Sequence, residues 1–394
     1  MKKTNRRQML RAGAALGGGL LARAEESRTL GKPLSGYGER SPHVKSVRAT
    51  RQSQTPEAGS SSTPLADMYG IITPSSLHYE RHHGGVPNLD PARHSLTIHG
   101  LVERPLILTM DEIRRLPSVS RIHFLECGGN SGAEWRGGAP DVQRSYGLAS
   151  CSEWTGVPLR LLLDEVGVKA GASWIIAEGA DACKMQRSVP IVKALDDALL
   201  AYGQNGESLR PEQGFPLRLL TPGWEGNVQV KWLQRLHVTD QPYMARDETS
   251  KYSDLMPDGK ARIFSLAMEA KSVVTFPSGG QTLPGPGLYE LTGLAWTGAG
   301  RIERVEVTLD GGRTWQKAHL QEPRLRLAFT RFRLAWRWDG KPAVIASRAT
   351  DESGYVQPTR EELIAARGLN SGYHFNGIKE WKVAPDGSVT HVGA

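Results

Sequence analysis

One short run is best suited to chemistry: Glu126-Cys127-Gly128-Gly129-Asn130-Ser131-Gly132. A cysteine followed by two glycines exposes its sulfur where backbone amides approach a bound group closely. As a thiolate, Cys127 serves as a nucleophile or as a ligand for a soft metal. The alternative is a cysteine packed at the end of a strand. The chain has two other cysteines, Cys151 and Cys183, so at least one of the three is free, bound to something or paired outside the chain. Both others read as packing residues. There is no Cys-x-x-Cys-His, which excludes a c-type haem attached to this chain, and no zinc-finger spacing.

The flanking patterns supply elements to position this loop. Ser120–Glu126 alternates as a strand does and delivers Cys127 into the Gly-rich turn. Ser95–Gly100 reads as an earlier strand, and Thr109 with Glu112 forms a capping box at the start of a short helix. Leu159–Val166 suits a helix, Ser173–Glu178 a strand, and Ser188–Leu200 a strand end running into a helix. Phe215–Thr221 and Val228–Val238 read as strands flanking the turn Pro222–Gly226. This mixture predicts an α+β body. After about Ala270 the pattern becomes short alternating runs, at 273–276, 287–293, 302–310 and 331–339, with Asp310-Gly311-Gly312 as a hairpin signal. That spacing predicts an all-β sandwich with an immunoglobulin-like look.

The 394 residues allow two or more domains, and 39% hydrophobic with 23% charged residues is ordinary for a globular protein. The net charge of +8 is concentrated at the start: residues 1–24 hold six cations and no acid, so removing them leaves +2. A body so close to neutral offers no basic surface for nucleic acid. The leader places Arg6-Arg7 before a short apolar run and Ala22-Arg23-Ala24, the layout of a twin-arginine signal peptide. Its apolar run is too short to span a membrane, so no membrane span is expected in the mature chain. Export to the periplasm is the expectation. Residues 25–63 read as an extended arm or linker.

Several segments, in one order, resemble the sulfite oxidase family of molybdopterin enzymes. They are Arg81-His82-His83-Gly84-Gly85-Val86-Pro87, the Cys127 loop, Trp154–Leu159, Gly214–Arg218 with Pro222-Gly223, and Val230-Lys231-Trp232-Leu233. Arg313-Thr-Trp315, Ala349–Asp351 and Val356–Pro358 resemble the family's C-terminal part. The resemblance implies molybdenum held by a pterin dithiolene and by Cys127 as the one protein thiolate. It implies a sulfite-oxidase-type molybdopterin domain over 64–265, followed by an immunoglobulin-like dimerisation domain over 266–394. By position it makes Arg81, His83, Arg218 and Lys231 cofactor-binding residues. Tyr252 becomes a pocket tyrosine beside the metal and Arg367 a late substrate-binding arginine, with His374 a further candidate.

The sequence departs from animal-type sulfite oxidases. Their arginine pair after the cysteine loop is Ser131 and Gly132 here, a pterin-contacting histidine is Gln213, and another arginine is Val228. These changes predict a roomier, less cationic pocket. Glu126–Trp135 and Ser250–Gly259 resemble the molybdenum subunits of sulfane dehydrogenases of the thiosulfate-oxidising Sox system. That likeness implies oxidation of persulfide sulfur on a sulfur-carrier protein, with electrons leaving to a c-type cytochrome. A homodimer through the C-terminal domain, or a heterotetramer with the cytochrome, is the implied assembly. The alternative is a sulfite dehydrogenase acting on free sulfite. Within the family, a reductase acting on oxidised methionine is a further reading; a hydrolytic metal site drawn from His78, His82, His83, His94 and His99, and a non-enzymatic interaction protein, are the readings from other classes.

Overall fold

The computed structural model describes residues 30–392. The twin-arginine leader therefore lies outside the described residues. Two units separate at residue 45. In the first, residues 30–45 are extended and irregular, with Lys32 paired to Glu39 at 3.5 Å. The second unit begins at Ser46 and holds everything below.

Its first sheet is an antiparallel trio, Ala49–Gln52, Gly59–Ser62 and Glu80–His82. This corrects part of the expected arm, because residues 49–62 form a hairpin. Few of its residues are apolar, and polar contacts hold it instead: Gln143 Nε2 donates to the carbonyls of Val47 and Ser62 at 2.8 and 2.9 Å. Those bonds left no hydrophobic signature in the sequence.

Two five-stranded sheets build the α+β body. One joins Glu207–Ser208, Leu199–Gln204, Ala149–Pro158 and Val119–Glu126, with Arg218–Leu220 also paired to Leu199–Gln204. The other runs Leu106–Thr109, Ser95–Gly100, Leu233–Thr239, Trp174–Gly179 and Gln186–Pro190. Its one parallel pair sets Ser95–Gly100 against Leu233–Thr239, joining segments far apart in sequence. The expected capping box is formed: Glu112 N–H donates to Thr109 Oγ1 at 3.3 Å, and Thr109 N–H to Glu112 Oε2 at 2.8 Å. Helix Leu159–Val166 buries Leu159, Leu162, Leu163 and Val166, one face at helical spacing, and ends where Gly167 takes a φ of 66°.

The C-terminal strands form two antiparallel sheets. One is Lys271–Phe276, Gly287–Trp296, Thr330–Trp338 and His319–Leu320. The other is Gln316–Lys317, Ile302–Thr308, Ala343–Asp351, Glu380–Val383 and Val389–His391. Trp296, Phe332, Val305 and Trp381 fill the space they share, and that core continues under Phe124, Tyr146 and Cys151. A separate core sits around Leu163, Ile175 and Leu236, and a third holds Leu125, Cys127, Trp154 and Leu220.

Two histidines beneath these sheets carry a pH dependence. Burial holds the His78 imidazole down at about 3, against the opposing hydrogen bond to the Tyr79 carbonyl. Burial likewise holds His123 at about 4. Both rings stay neutral in the fold but take up protons in the unfolded chain below about 6.5. Their contribution is thus intact above pH 6.5 and is lost as pH falls through 4. The midpoint of thermal unfolding is expected to fall steadily from pH 7 to pH 4.5, and less steeply in His123→Gln. Equal slopes in the two proteins would remove His123 from this account.

Candidate functional site

Strand Val119–Glu126 ends in the third core and hands the chain to the cysteine loop. Asn130 N–H donates to the Cys127 carbonyl at 2.8 Å, and Cys127 N–H donates to the Leu148 carbonyl at 3.0 Å. The Asn130 side chain then pins both sides, donating to Glu126 Oε1 at 2.8 Å and accepting from Leu148 N–H at 3.0 Å. A Cβ on Gly128 would stand 2.7 Å from Glu225 Oε2, so that glycine is required by close approach.

Cys127 opens on a cavity. Arg81, His83, Arg218, Lys231 and Tyr252 all line it, together with Tyr79, Met185, Gln213 and Asn227. Burial pushes the Cys127 thiol up, partly offset by a hydrogen bond from the Gly129 amide and by the Arg81 guanidinium. Four residues at or beside the site, Ser131, Trp232, Tyr252 and His374, have φ between 50° and 62°. Left-handed backbone at a non-glycine residue costs about 1–3 kcal/mol, and such strain clusters at functional sites.

Part of the cavity lining is cationic. Arg218 is buried, donating to the Gln213 carbonyl at 2.9 Å and the Gln229 carbonyl at 3.2 Å, with its guanidinium 5.1 Å over the Trp154 ring. Burial lowers Arg218 to about 10, and its Nε has no partner. Lys231 donates to the carbonyls of Arg81 at 3.2 Å and Glu212 at 3.1 Å and to His82 Nδ1 at 2.8 Å. Each of these acceptors is neutral when His82 is neutral. Burial, then Arg218, push Lys231 well below its ordinary value, so a bound anion would favour its charged form; with Arg218 and the orphaned Nε it makes an anion site that fits the phosphate of a pterin cofactor.

The other end is aromatic. The Tyr252 hydroxyl lies 3.5 Å from His83 Nε2, and its ring packs 5.0 Å from Tyr373 and 5.3 Å under the Arg187 guanidinium. Burial raises the Tyr252 phenol far above its ordinary range, so it stays protonated. Burial, then Arg81, hold His83 at about 4, so it is neutral at pH 7.

The structure does not bring every expected residue here. Arg367 is buried elsewhere, 2.8 Å from Glu269 and 3.9 Å from Asp254, and does not line the cavity. Its guanidinium pairs with these acids, while its Nη1 has no hydrogen-bond partner. Ser131 and Gly132 also face away. Ser131 is buried with its hydroxyl 3.5 Å from Lys271, and a Cβ on Gly132 would stand 2.9 Å from the Gly372 carbonyl. The expected widening therefore does not come from those two positions. Cys151 is packed in the core, where burial pushes it to about 12, but Cys183 is exposed rather than packed. The histidines scatter: His94 bonds the Leu233 carbonyl at 2.8 Å and His99 stacks on His237 at 4.6 Å.

Of a buried cluster behind the cysteine loop, sequence reasoning named only His374 and missed Glu225, Arg187 and Asn227. Glu225 meets Arg187 at 3.3 Å, His374 at 3.1 Å and Asn227 at 2.7 Å, and His374 N–H donates to the Gly128 carbonyl at 2.8 Å. The signal available was an acid, Glu225, inside a turn of otherwise small and apolar residues.

Residues 83–246 match the family described as the oxidoreductase molybdopterin binding domain, and residues 262–380 the Mo-co oxidoreductase dimerisation domain. Among solved structures, the sulfane dehydrogenase SoxCD from Paracoccus pantotrophus aligns with a TM-score of 0.87 and 44% identity, covering 91% of this chain and 96% of that one. The NADH nitrate reductase of Solanum lycopersicum is 34% identical over 347 residues, 77% of this chain and 38% of the reductase. The first NADH nitrate reductase of Oryza sativa subsp. japonica is 36% identical over 344 residues, 76% and 37% respectively. The chain thus spans well under half the length of these reductases.

Fold and site define a molybdopterin oxidoreductase. The chain belongs to the sulfite oxidase family, with molybdenum–molybdopterin as its cofactor.

Proposed function

We propose that this chain oxidises the sulfane sulfur of a persulfide carried on a partner protein's cysteine and passes the electrons to a c-type cytochrome. The observation carrying this reading is the 44% identity and TM-score of 0.87 to SoxCD across 96% of that chain. Within it, Cys127 is the thiolate ligand of the metal, and Arg218 and Lys231 hold the pterin phosphate. Bound there, the cofactor supplies two-electron redox chemistry with water as the source of oxygen. Each oxygen added to sulfur then releases two electrons and two protons.

The protein's residues do the rest. Arg81 lines the cavity and places positive charge near Cys127, where an anionic sulfur group approaches. Tyr252 presents a protonated hydroxyl to the reacting groups and cannot act as a base. His83 is neutral and can accept a hydrogen bond from that hydroxyl. The chain is further proposed to be periplasmic, exported folded by the twin-arginine route, and to dimerise through an immunoglobulin-like domain over 266–394.

The test is cytochrome c reduction by protein of measured molybdenum and pterin content, with a persulfidated carrier or with free sulfite. Carrier-dependent turnover is expected; turnover on free sulfite alone would make the chain a sulfite dehydrogenase. Tyr252→Phe keeps the ring and loses the hydroxyl. A hydrogen bond of about 1.4 kcal/mol corresponds to roughly tenfold in rate. A kcat lower by that factor is expected, with cofactor content and the alkaline side of the pH profile unchanged. An unaltered kcat would take the hydroxyl out of the reaction.

A further inference from the structure

Three carboxylates, Glu80, Asp181 and Glu212, act on Lys231 without an ion pair to it, and two of them share a cation. His82 stands between it and Glu80: Nδ1 faces Lys231 at 2.8 Å, and Nε2 meets Glu80 Oε2 at 2.7 Å. The Glu212 carbonyl bonds Lys231, but the Glu212 carboxylate turns outward. Both acids turn to Arg48 of the N-terminal hairpin segment, whose Nη1 lies 3.1 Å from Glu80 Oε1 and 3.7 Å from Glu212 Oε1. Arg48 is fixed there by donating to the His78 carbonyl at 3.2 Å, and Ser61 Oγ donates to Glu80 at 3.0 Å.

We infer that Arg48 is a positioning residue for the anion end of the cavity: by neutralising Glu80 and Glu212, it leaves the charge of Lys231 to a phosphate group. The inference rests on the cofactor assignment above and adds a remote residue to it. Without Arg48, two carboxylates lie uncompensated beside Lys231. They then compete for its charge directly, or through a proton taken up by His82. The charges already favour the present division. Burial would raise the Glu80 carboxyl, yet the His82 hydrogen bond and Arg48 hold it at about 2. Burial also lowers His82, keeping the bridging imidazole neutral. Partners one layer behind a bound group commonly alter its affinity by about 10- to 100-fold.

The experiment follows molybdenum and pterin remaining in the purified, loaded full-length chain during dialysis, for wild type, Arg48→Ala and Arg48→Lys. Release about 10-fold faster in Arg48→Ala is expected, with Arg48→Lys close to wild type because it restores the charge. In parallel, inorganic phosphate is titrated into cofactor-free protein and the thermal midpoint followed. The phosphate-induced rise is expected in wild type and Arg48→Lys and lost in Arg48→Ala. Wild-type release from Arg48→Ala would overturn the inference. So would a lower midpoint in cofactor-free Arg48→Ala with an undiminished phosphate shift, which marks a packing role. A wild-type protein without molybdenum or pterin after production with the cofactor machinery would sink the cofactor assignment instead. The phosphate titration would still judge Arg48.

Discussion

A Cys127→Ser protein is expected to keep its fold and its pterin and to lose turnover by well over about a hundredfold, more than replacing groups behind a ligand typically costs. The fold survives because the loop is held by groups other than the sulfur. The Cys127 amide bonds Leu148, its carbonyl accepts from Asn130, and Asn130 is bound at both ends of its side chain. The pterin stays because the proposed phosphate-holding residues, Arg218 and Lys231, are held by backbone carbonyls and bond nothing on residue 127. A hydroxyl is a harder donor than a thiolate and does not replace it toward molybdenum. The check is threefold: turnover, pterin content, and the sulfur count around the metal by X-ray absorption. Full activity, or an unchanged sulfur count, would remove Cys127 as the ligand.

The second large effect is expected one residue earlier. Glu126 is fully buried and is answered by Lys271, also buried, by the Trp296 indole N–H at 2.6 Å and by Asn130 at 2.8 Å. Lys271 and Trp296 belong to the C-terminal strands, so this pair joins those sheets to the residue that precedes Cys127, the proposed metal ligand. Lys271→Met leaves a buried carboxylate without its cation, which typically costs about 3–5 kcal/mol. Replacing both partners, Lys271→Met with Glu126→Gln, is expected to cost clearly less, because no charge is then stranded. Chemical denaturation of the two single variants and the double variant measures the coupling. Additive losses would mean that the pair contributes no interaction of its own.

Much of the fold was legible because its signals are local. Ser95–Gly100 and Leu159–Val166 have the bounds that their patterns predict, and the Thr109–Glu112 box forms as expected. The failures are places where tertiary contacts override pattern. Val228–Val238 is apolar enough to read as one strand, yet it begins only at Leu233, after a turn at 226–228 and the left-handed Trp232. The segment Ser188–Leu200 holds a helix that stops at Asp196 and gives way to a strand at Leu199. Motif order brought Arg81, His83, Cys127, Arg218, Lys231 and Tyr252 to one cavity. Arg367, where the surrounding sequence contains no fixed spacing to align, meets Glu269 and Asp254 and does not line that cavity. The Glu225, Arg187 and His374 cluster was invisible because its members are scattered over nearly two hundred positions and meet only in the fold.

The cysteine loop leaves the ribosome long before the parts that shape it. Gly128 waits for the amide of His374, Glu126 for Lys271 and Trp296, and the strand bearing Arg81 needs the hairpin at 49–62. A nascent chain that ends anywhere before Ser371 has the ligand but not the receptacle. On the proposed cofactor assignment, loading is expected to wait until these late segments have reached the loop.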